Sequence, residues 1–133
     1  MKKIGVIILL AFSFTIFHTL SAGADQFKKR EAKIAQYKKW LDTLGPRGSR
    51  LWIRLDERHR PHRLYVGEGF YQADYHSQER FVDTFSNYLA GHPEKFMLID
   101  LFDAGNNRAV GEYGFGGFKL YPQGVRFADG VRK

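Results

Sequence analysis

The densest group of charged side chains in the sequence lies in residues 47–63, called here the arginine-rich segment. It contains six arginines and two histidines against two acidic residues, Asp56 and Glu57. The guanidinium group is planar and donates paired hydrogen bonds to one phosphate or carboxylate, and histidine gains charge at mildly acidic pH. We therefore expect an anionic partner to bind this segment. The candidate contact residues are Arg47, Arg50, Arg54, Arg58, His59, Arg60, His62 and Arg63.

The same segment allows two other interpretations. It could be a solvated hairpin whose arginines pair with Asp56, Glu57 and the helices, an arrangement of little energetic consequence. Glu57, His59 and His62 have side chains of the kind that bind zinc. Arginines interleave with these three residues and would repel a dication, and a loop tip supports a metal site poorly. The sequence therefore predicts no metal site and no cofactor.

Two glutamates provide an enzymatic alternative. Glu68 lies between Gly67 and Gly69, and Glu112 follows Gly111. Glycines in a strand bare the backbone, which leaves space for a ligand. If the two carboxylates face each other about 5 to 9 Å apart, they could act as acid and base on a glycan, so the alternative function is a cell-envelope glycan hydrolase. In the simpler interpretation both glutamates face water and the protein is not an enzyme.

Several other chemistries find no support in the sequence. The chain has no cysteine, which excludes disulfides, thiol catalysis and thiolate metal ligands. It also lacks the G-x-S-x-G pattern of a serine nucleophile. The glycine-rich stretch 111–117 precedes no predicted helix and lacks the Lys-Ser/Thr of a phosphate loop, so no nucleotide cofactor is expected. Tyr113, Phe115 and Phe118 could contact a sugar or a peptide, but we expect them to pack in the core.

Hydrophobic periodicity assigns these residues to helices and strands in the order αββαββ. The predicted elements are a helix over 25–44 ended by Gly45 and Pro46, strands over 51–55 and 63–70, a helix that begins at Asp74 or Ser77 and ends at Gly91, and strands over 96–102 and 110–120, the last with a bulge at Gly116 and Gly117. Residues 56–62 are expected at the exposed tip of the first hairpin. The predicted fold class is α+β, a small single domain whose helices pack on a mainly antiparallel sheet.

The first 24 residues have the pattern of a signal peptide. Lys2 and Lys3 precede an apolar run over 4–17, and Ala-Gly-Ala at 22–24 fits a signal peptidase site, so cleavage is expected between Ala24 and Asp25. The alternative is an uncleaved anchor, but the apolar run is shorter than the roughly 20 residues that a membrane-spanning helix needs. The pattern therefore predicts export to a periplasm or secretion. The exported chain would contain one domain over 25–120 and a poorly ordered tail over 121–133.

The net charge of +7 is distributed unevenly along the chain. Residues 25–63 carry 12 positive and 5 negative side chains, whereas residues 64–133 carry 7 and 9. We therefore expect a non-catalytic binding protein whose partner is an acidic protein surface or an anionic envelope component. Nucleic acid is a weaker candidate, because export offers few such partners. A membrane surface along the lysine-rich face of the first helix is not favoured, because the sheet needs that helix as a cover.

Overall fold

The computed structural model describes the backbone of residues 2–122 and the side chains of residues 23–122. Its elements are, in chain order, α1 (Lys2–Thr43), β1 (Trp52–Asp56), β2 (His62–Val66), α2 (Glu68–Gln72), α3 (Tyr75–Ala90), β3 (Ile99–Asp103), β4 (Ala109–Gly114) and β5 (Gly117–Leu120). The chain divides into two units, residues 1–33 and 34–133. The predicted signal peptide and tail lie almost entirely outside the residues whose side chains are described.

The first unit is helical over its described backbone. Its residues 23–33 are exposed, and the guanidinium of Arg30 lies 5.8 Å from the centre of the Phe27 ring. Within the part of the chain that has described side chains, no helix combines the length and the apolar character needed to cross a membrane.

In the second unit, five strands form one sheet in the order β1-β2-β3-β4-β5. β2 and β3 are parallel because α2 and α3 carry the chain back between them, and the other neighbouring strands are antiparallel. The predicted α+β class and mainly antiparallel sheet are confirmed. The predicted order αββαββ is wrong, since two helices separate β2 from β3 and three strands follow.

Three of the predicted strands differ from the observed ones. The strand expected over 96–102 begins only at Ile99. The strand expected over 63–70 ends at Val66, and Glu68 begins α2. The strand expected over 110–120 is a hairpin, β4 and β5, which turns at Phe115 and Gly116. Gly117 has φ +84°, a conformation that residues with a Cβ rarely adopt, so the glycines that suggested a bulge form a turn.

Local capping chemistry fixes the ends of α3. The side chain of Asp74 accepts a hydrogen bond from the Ser77 backbone N–H at 2.8 Å, which satisfies a free donor of the first turn. Gly91 ends the helix in the left-handed conformation at φ 69°. Both helix-end predictions are confirmed.

The core lies between one face of the sheet and the helices. It contains Leu41 of α1, the α3 residues Phe81, Val82 and Phe85, and the strand residues Leu64, Val66, Ile99, Leu101, Val110 and Phe118. Because successive side chains of a strand point to opposite faces, the residues between these core positions lie on the other side of the sheet, called here the outer face. The outer face carries Arg54, Asp56, Arg63, Tyr65, Asp100, Phe102, Glu112 and Lys119.

Candidate functional site

At the tip of the β1–β2 hairpin the cations bind groups of the hairpin itself. Arg58 donates to the Asp56 carboxylate from Nε at 3.1 Å and from Nη2 at 3.2 Å, and its backbone N–H donates at 3.0 Å. These hydrogen bonds lower the pKa of Asp56 to about 2. His59 Nε2 lies 3.4 Å from the same carboxylate. Arg60 donates to the backbone carbonyls of Glu57 at 2.5 Å and His59 at 3.0 Å. The exposed tip is therefore largely saturated by its own contacts.

His62 does not belong to this tip. It is the first residue of β2, it is 6% exposed, and it shares the core face of the strand with Leu64 and Val66. Its Nδ1 has no hydrogen-bond partner among the described residues. The expectation that the exposed tip extends to His62 is wrong, because Pro61 is already followed by the buried strand.

On the outer face, two arginines lie over aromatic rings. The guanidinium carbon of Arg54 is 3.6 Å from the centre of the Tyr65 ring, and that of Arg63 is 4.9 Å from the centre of the Phe102 ring. The two rings also contact each other, with centres 5.6 Å apart and planes tilted by 30°. The sheet register produces this cluster, since Arg54 is opposite Tyr65 and Tyr65 is opposite Phe102. We call these four residues the arginine–aromatic cluster.

Within the described residues, the two arginines of this cluster have no carboxylate partner. Among the described residues, no Asp or Glu oxygen lies within 4 Å of the guanidinium of Arg54 or Arg63, and neither group donates a hydrogen bond. Asp56 is opposite Arg63 in the sheet, but Arg58 and His59 already bind its carboxylate. No acceptor in the described part of the chain occupies the N–H donors of Arg54 and Arg63, so an external anion can bind them.

A second row of charge continues across the outer face from Arg63. In register it runs through Asp100, Glu112 and Lys119 on β3, β4 and β5. Burial raises the pKa of Asp100, the charge of Glu112 raises it further, and Arg63 opposes the change. Glu112 accepts a hydrogen bond from the Tyr121 hydroxyl at 2.5 Å, which helps to raise the pKa of Tyr121 to about 12. Glu112 is thus part of the outer face.

Glu68 lies elsewhere, at the start of α2. Its Oε1 accepts from Arg50 Nε at 2.7 Å, and this hydrogen bond lowers the pKa of Glu68. Val66 of β2 pairs with Asp103 at the end of β3. Glu112 of β4 pairs with Asp100, which lies three residues earlier on β3. Standard strand spacings therefore separate the Val66 and Glu112 backbones by about 14 Å. The structure does not bring Glu68 and Glu112 together as a facing pair.

The glycines beside these glutamates make room for backbone. A Cβ on Gly67 would lie 2.6 Å from the Arg50 carbonyl oxygen, and one on Gly69 would lie 1.9 Å from that of Ser49. On Gly111 it would lie 2.6 Å from the carbonyl oxygen of Lys119. Close approach of neighbouring backbone explains why these three positions are glycine.

The remaining candidates are dispersed. Arg47 is exposed in the turn after α1, and Arg50 binds Glu68 and the Pro46 carbonyl. Among the described residues no three His, Asp or Glu side chains are grouped so that they could hold a metal ion. Sequence reasoning missed Tyr65 and Phe102. The available signal was the i, i+2 spacing of Arg63 and Tyr65, which puts a cation and a ring on one face of a strand.

Comparison with protein-family models, with curated proteins and with solved structures finds no match to this chain.

Proposed function

We propose that this chain is a small exported protein that binds, without catalysis, an acidic protein surface or an anionic component of the cell envelope through its arginine-rich segment. The observation that carries the proposal is the arginine–aromatic cluster. Arg54 and Arg63 are held over Tyr65 and Phe102, and no carboxylate of the described residues pairs with either arginine. The export part rests on the signal-peptide pattern of residues 1–24.

Stacking on a ring prepares a guanidinium for binding. A free arginine side chain loses rotamer freedom when it binds, whereas one already held against a ring has less to lose. The ring contact leaves the edge of the planar group available, and the edge carries the N–H donors that match a phosphate or a carboxylate. Arg54 and Arg63 lie diagonally on adjacent strands, at a Cα separation of about 7 to 8 Å or less, so one anionic group can reach both.

The other members of the segment support association at longer range. Arg47 and Arg60 add positive potential without a carboxylate partner in the described part of the chain. The positive excess of residues 25–63 attracts acidic partners before contact. Binding is favoured over glycan hydrolysis because the two carboxylates have different locations, Glu68 at the start of α2 beside Arg50 and Glu112 on the outer face beside Tyr121.

A matched pair of double variants tests this proposal. The first, Arg54→Gln with Arg63→Gln, removes the two guanidinium groups of the cluster. The control, Arg60→Gln with Arg80→Gln, removes the same charge. In the control, Arg60 is bound to its own hairpin carbonyls, and Arg80 lies 5.1 Å over the ring of Trp40 on the helical side of the sheet.

Binding is measured on immobilised polyglutamate and on phosphatidylcholine vesicles with and without phosphatidylglycerol. The first variant should weaken binding by about tenfold or more and the control by about threefold or less, and binding should weaken as salt increases. Equal losses, or binding that is insensitive to salt, would contradict the proposal. The protein should be recovered from a periplasmic extract with a mass that begins at Asp25, whereas a mass that includes residues 1–24 would contradict export.

A further inference from the structure

A cleft of about 490 Å³ lies at the carboxyl ends of β2 and β3, and its lining shares no residue with the arginine–aromatic cluster. Its walls are formed by Arg50, Ile53, Val66, Gly67, Glu68, Tyr71, Asp103, Ala104 and Gly105. The carboxyl ends of parallel strands that are joined by a helical crossover are a recurrent location for ligands, and this volume is in the range of small-molecule sites.

Arg50 occupies this cleft in an unusual backbone conformation. Its φ is 59°, a value that residues other than glycine adopt infrequently. The backbone is held there from both sides, because Arg50 N–H donates to the Gly45 carbonyl at 3.1 Å and the Arg50 carbonyl accepts from Gly69 at 3.0 Å. Its guanidinium donates to Glu68 at 2.7 Å and to the Pro46 carbonyl at 3.0 Å. Three of its five N–H donors therefore have no acceptor among the described residues.

A structural role does not fully account for this arrangement. The side chains of Arg50 and Glu68 are 46% and 63% exposed, and ion pairs in such positions stabilise a fold only weakly. A non-glycine residue at positive φ is unfavourable by at least as much, and such conformations concentrate at binding and catalytic sites. The arrangement is more typical of a preorganised binding site than of a contact that only stabilises the loop.

The acidic side of the cleft is also preorganised. Asp103 accepts from the Tyr71 hydroxyl at 2.5 Å and from the backbone N–H groups of Gly105 at 2.7 Å and Asn106 at 2.9 Å. With one arginine and two carboxylates, Glu68 and Asp103, the lining has a formal charge of −1. A simple anion is therefore repelled overall, whereas a ligand that carries both an ammonium and a carboxylate has complementary groups.

We infer that the cleft binds a free α-amino acid. The ligand carboxylate takes the unused donors of Arg50, and the ligand ammonium lies against Glu68 with the charge of Asp103 behind it. Ile53 offers an apolar surface to the side chain, so a small aliphatic amino acid is the best match. This site shares no residue with the arginine–aromatic cluster. A failure of amino acid binding would therefore leave the anion-binding proposal untouched, and the reverse also holds.

The test is an NMR titration of the folded protein with L-leucine and two analogues of the same carbon skeleton. One, 3-methylbutylamine, lacks the carboxylate, and the other, 4-methylpentanoate, lacks the ammonium. L-leucine at millimolar concentration should shift the amide signals of Gly67, Glu68 and Gly105, and each analogue should bind about tenfold more weakly or worse. The other standard amino acids are titrated in the same way.

Two variants separate binding from folding. Glu68→Gln removes the ammonium partner and keeps the shape, and Arg50→Lys keeps the charge but loses the planar fork. Both should retain the melting temperature to within a few degrees and weaken L-leucine binding by about tenfold. The double variant Arg54→Gln with Arg63→Gln should leave L-leucine binding unchanged. An analogue that binds as well as L-leucine, or no amino acid that shifts the cleft amides, would overturn the inference.

Discussion

Arg58 and Arg63 belong to the same β-hairpin and lie five residues apart, yet their guanidinium groups have different surroundings. Arg58, at the tip, binds Asp56 with three hydrogen bonds that include its backbone N–H. Arg63, in the sheet, lies on the Phe102 ring with no carboxylate of the described residues within 4 Å. The number of cations in a segment is therefore not the charge that is available to a partner. Exposure alone favours the tip as the binding site for an anion. The hydrogen-bond donors that lack a partner among the described residues favour the sheet instead.

Removing the ring beneath Arg54 should produce the largest effect. Tyr65 is 7% exposed, so Tyr65→Ala should lower the free energy of unfolding by about 2 to 3 kcal/mol, whereas His59→Ala at the tip should stay within about 0.5 kcal/mol. Urea denaturation measures both values. Equal losses of unfolding free energy would mean that the tip and the sheet part of the hairpin contribute equally to stability.

Two further substitutions at Tyr65 distinguish the effect of packing from that of the contact between its ring and Arg54. Tyr65→Leu keeps an apolar side chain but removes the aromatic face, so it should weaken anion binding by about fivefold, as expected for loss of a cation–π contact. Tyr65→Phe keeps the ring and should bind like the unchanged protein. If Tyr65→Leu binds equally well, the ring does not prepare Arg54.

A smaller effect is expected at Asp100, which lies beside Arg63 on the side away from Asp56. Because the folded-state pKa of Asp100 is raised, the folded protein holds a proton that the unfolded chain releases, so stability falls as pH rises from the ordinary carboxyl value, about 4, through the raised one. Asp100→Asn should remove this dependence. It should also strengthen anion binding at neutral pH by about threefold, because Arg63 loses a negative neighbour.

Asp42→Asn is the control for that measurement. It changes the net charge equally, but Asp42 pairs with Lys38 on α1. Binding and unfolding are measured from pH 4 to pH 7, on the polyglutamate support and by denaturation. An equal gain from Asp42→Asn would mean that net charge, and not the neighbour of Arg63, controls binding.

The sequence predicts correctly those parts of the fold that depend on residues close together in the chain. Asp74 and Gly91 end α3 where their side chain and backbone preferences indicate, and alternation identified β1. Glu68 was misassigned because the close approach of the 49–50 loop, which requires Gly67 and Gly69, is a tertiary contact. The turn at Phe115 was missed because its glycines were interpreted as a bulge.

The site was partly predictable for the same reason. The arginine-rich segment contains Arg54 and Arg63, so the sequence identified the region. It could not identify Phe102, since the parallel pairing of β2 with β3 joins residues separated by two helices. Nor could it distinguish Arg58 from Arg63, because which arginine pairs with Asp56 depends on the geometry of the hairpin tip.

The smallest expected effect tests whether Arg58 acts through Asp56 or contacts the partner. Arg58 lowers the pKa of Asp56 to about 2, so this pairing stabilises the fold above the ordinary carboxyl pKa, about 4, and the stabilisation is lost as pH falls through about 2. Arg58→Gln should raise the pKa of Asp56 toward its ordinary value, which an NMR titration of the carboxyl carbon measures. At neutral pH the released carboxylate lies opposite Arg63 and competes with the external anion.

Arg58→Gln should therefore weaken binding about twofold, although Arg58 itself does not touch the partner. Adding Asp56→Asn removes the competing carboxylate, so the double variant should bind as well as the unchanged protein. If Arg58 contacts the partner directly, the second substitution restores nothing beyond the gain that Asp56→Asn gives alone. The double-mutant cycle thus decides between a tip that binds and a tip that keeps Asp56 away from Arg63.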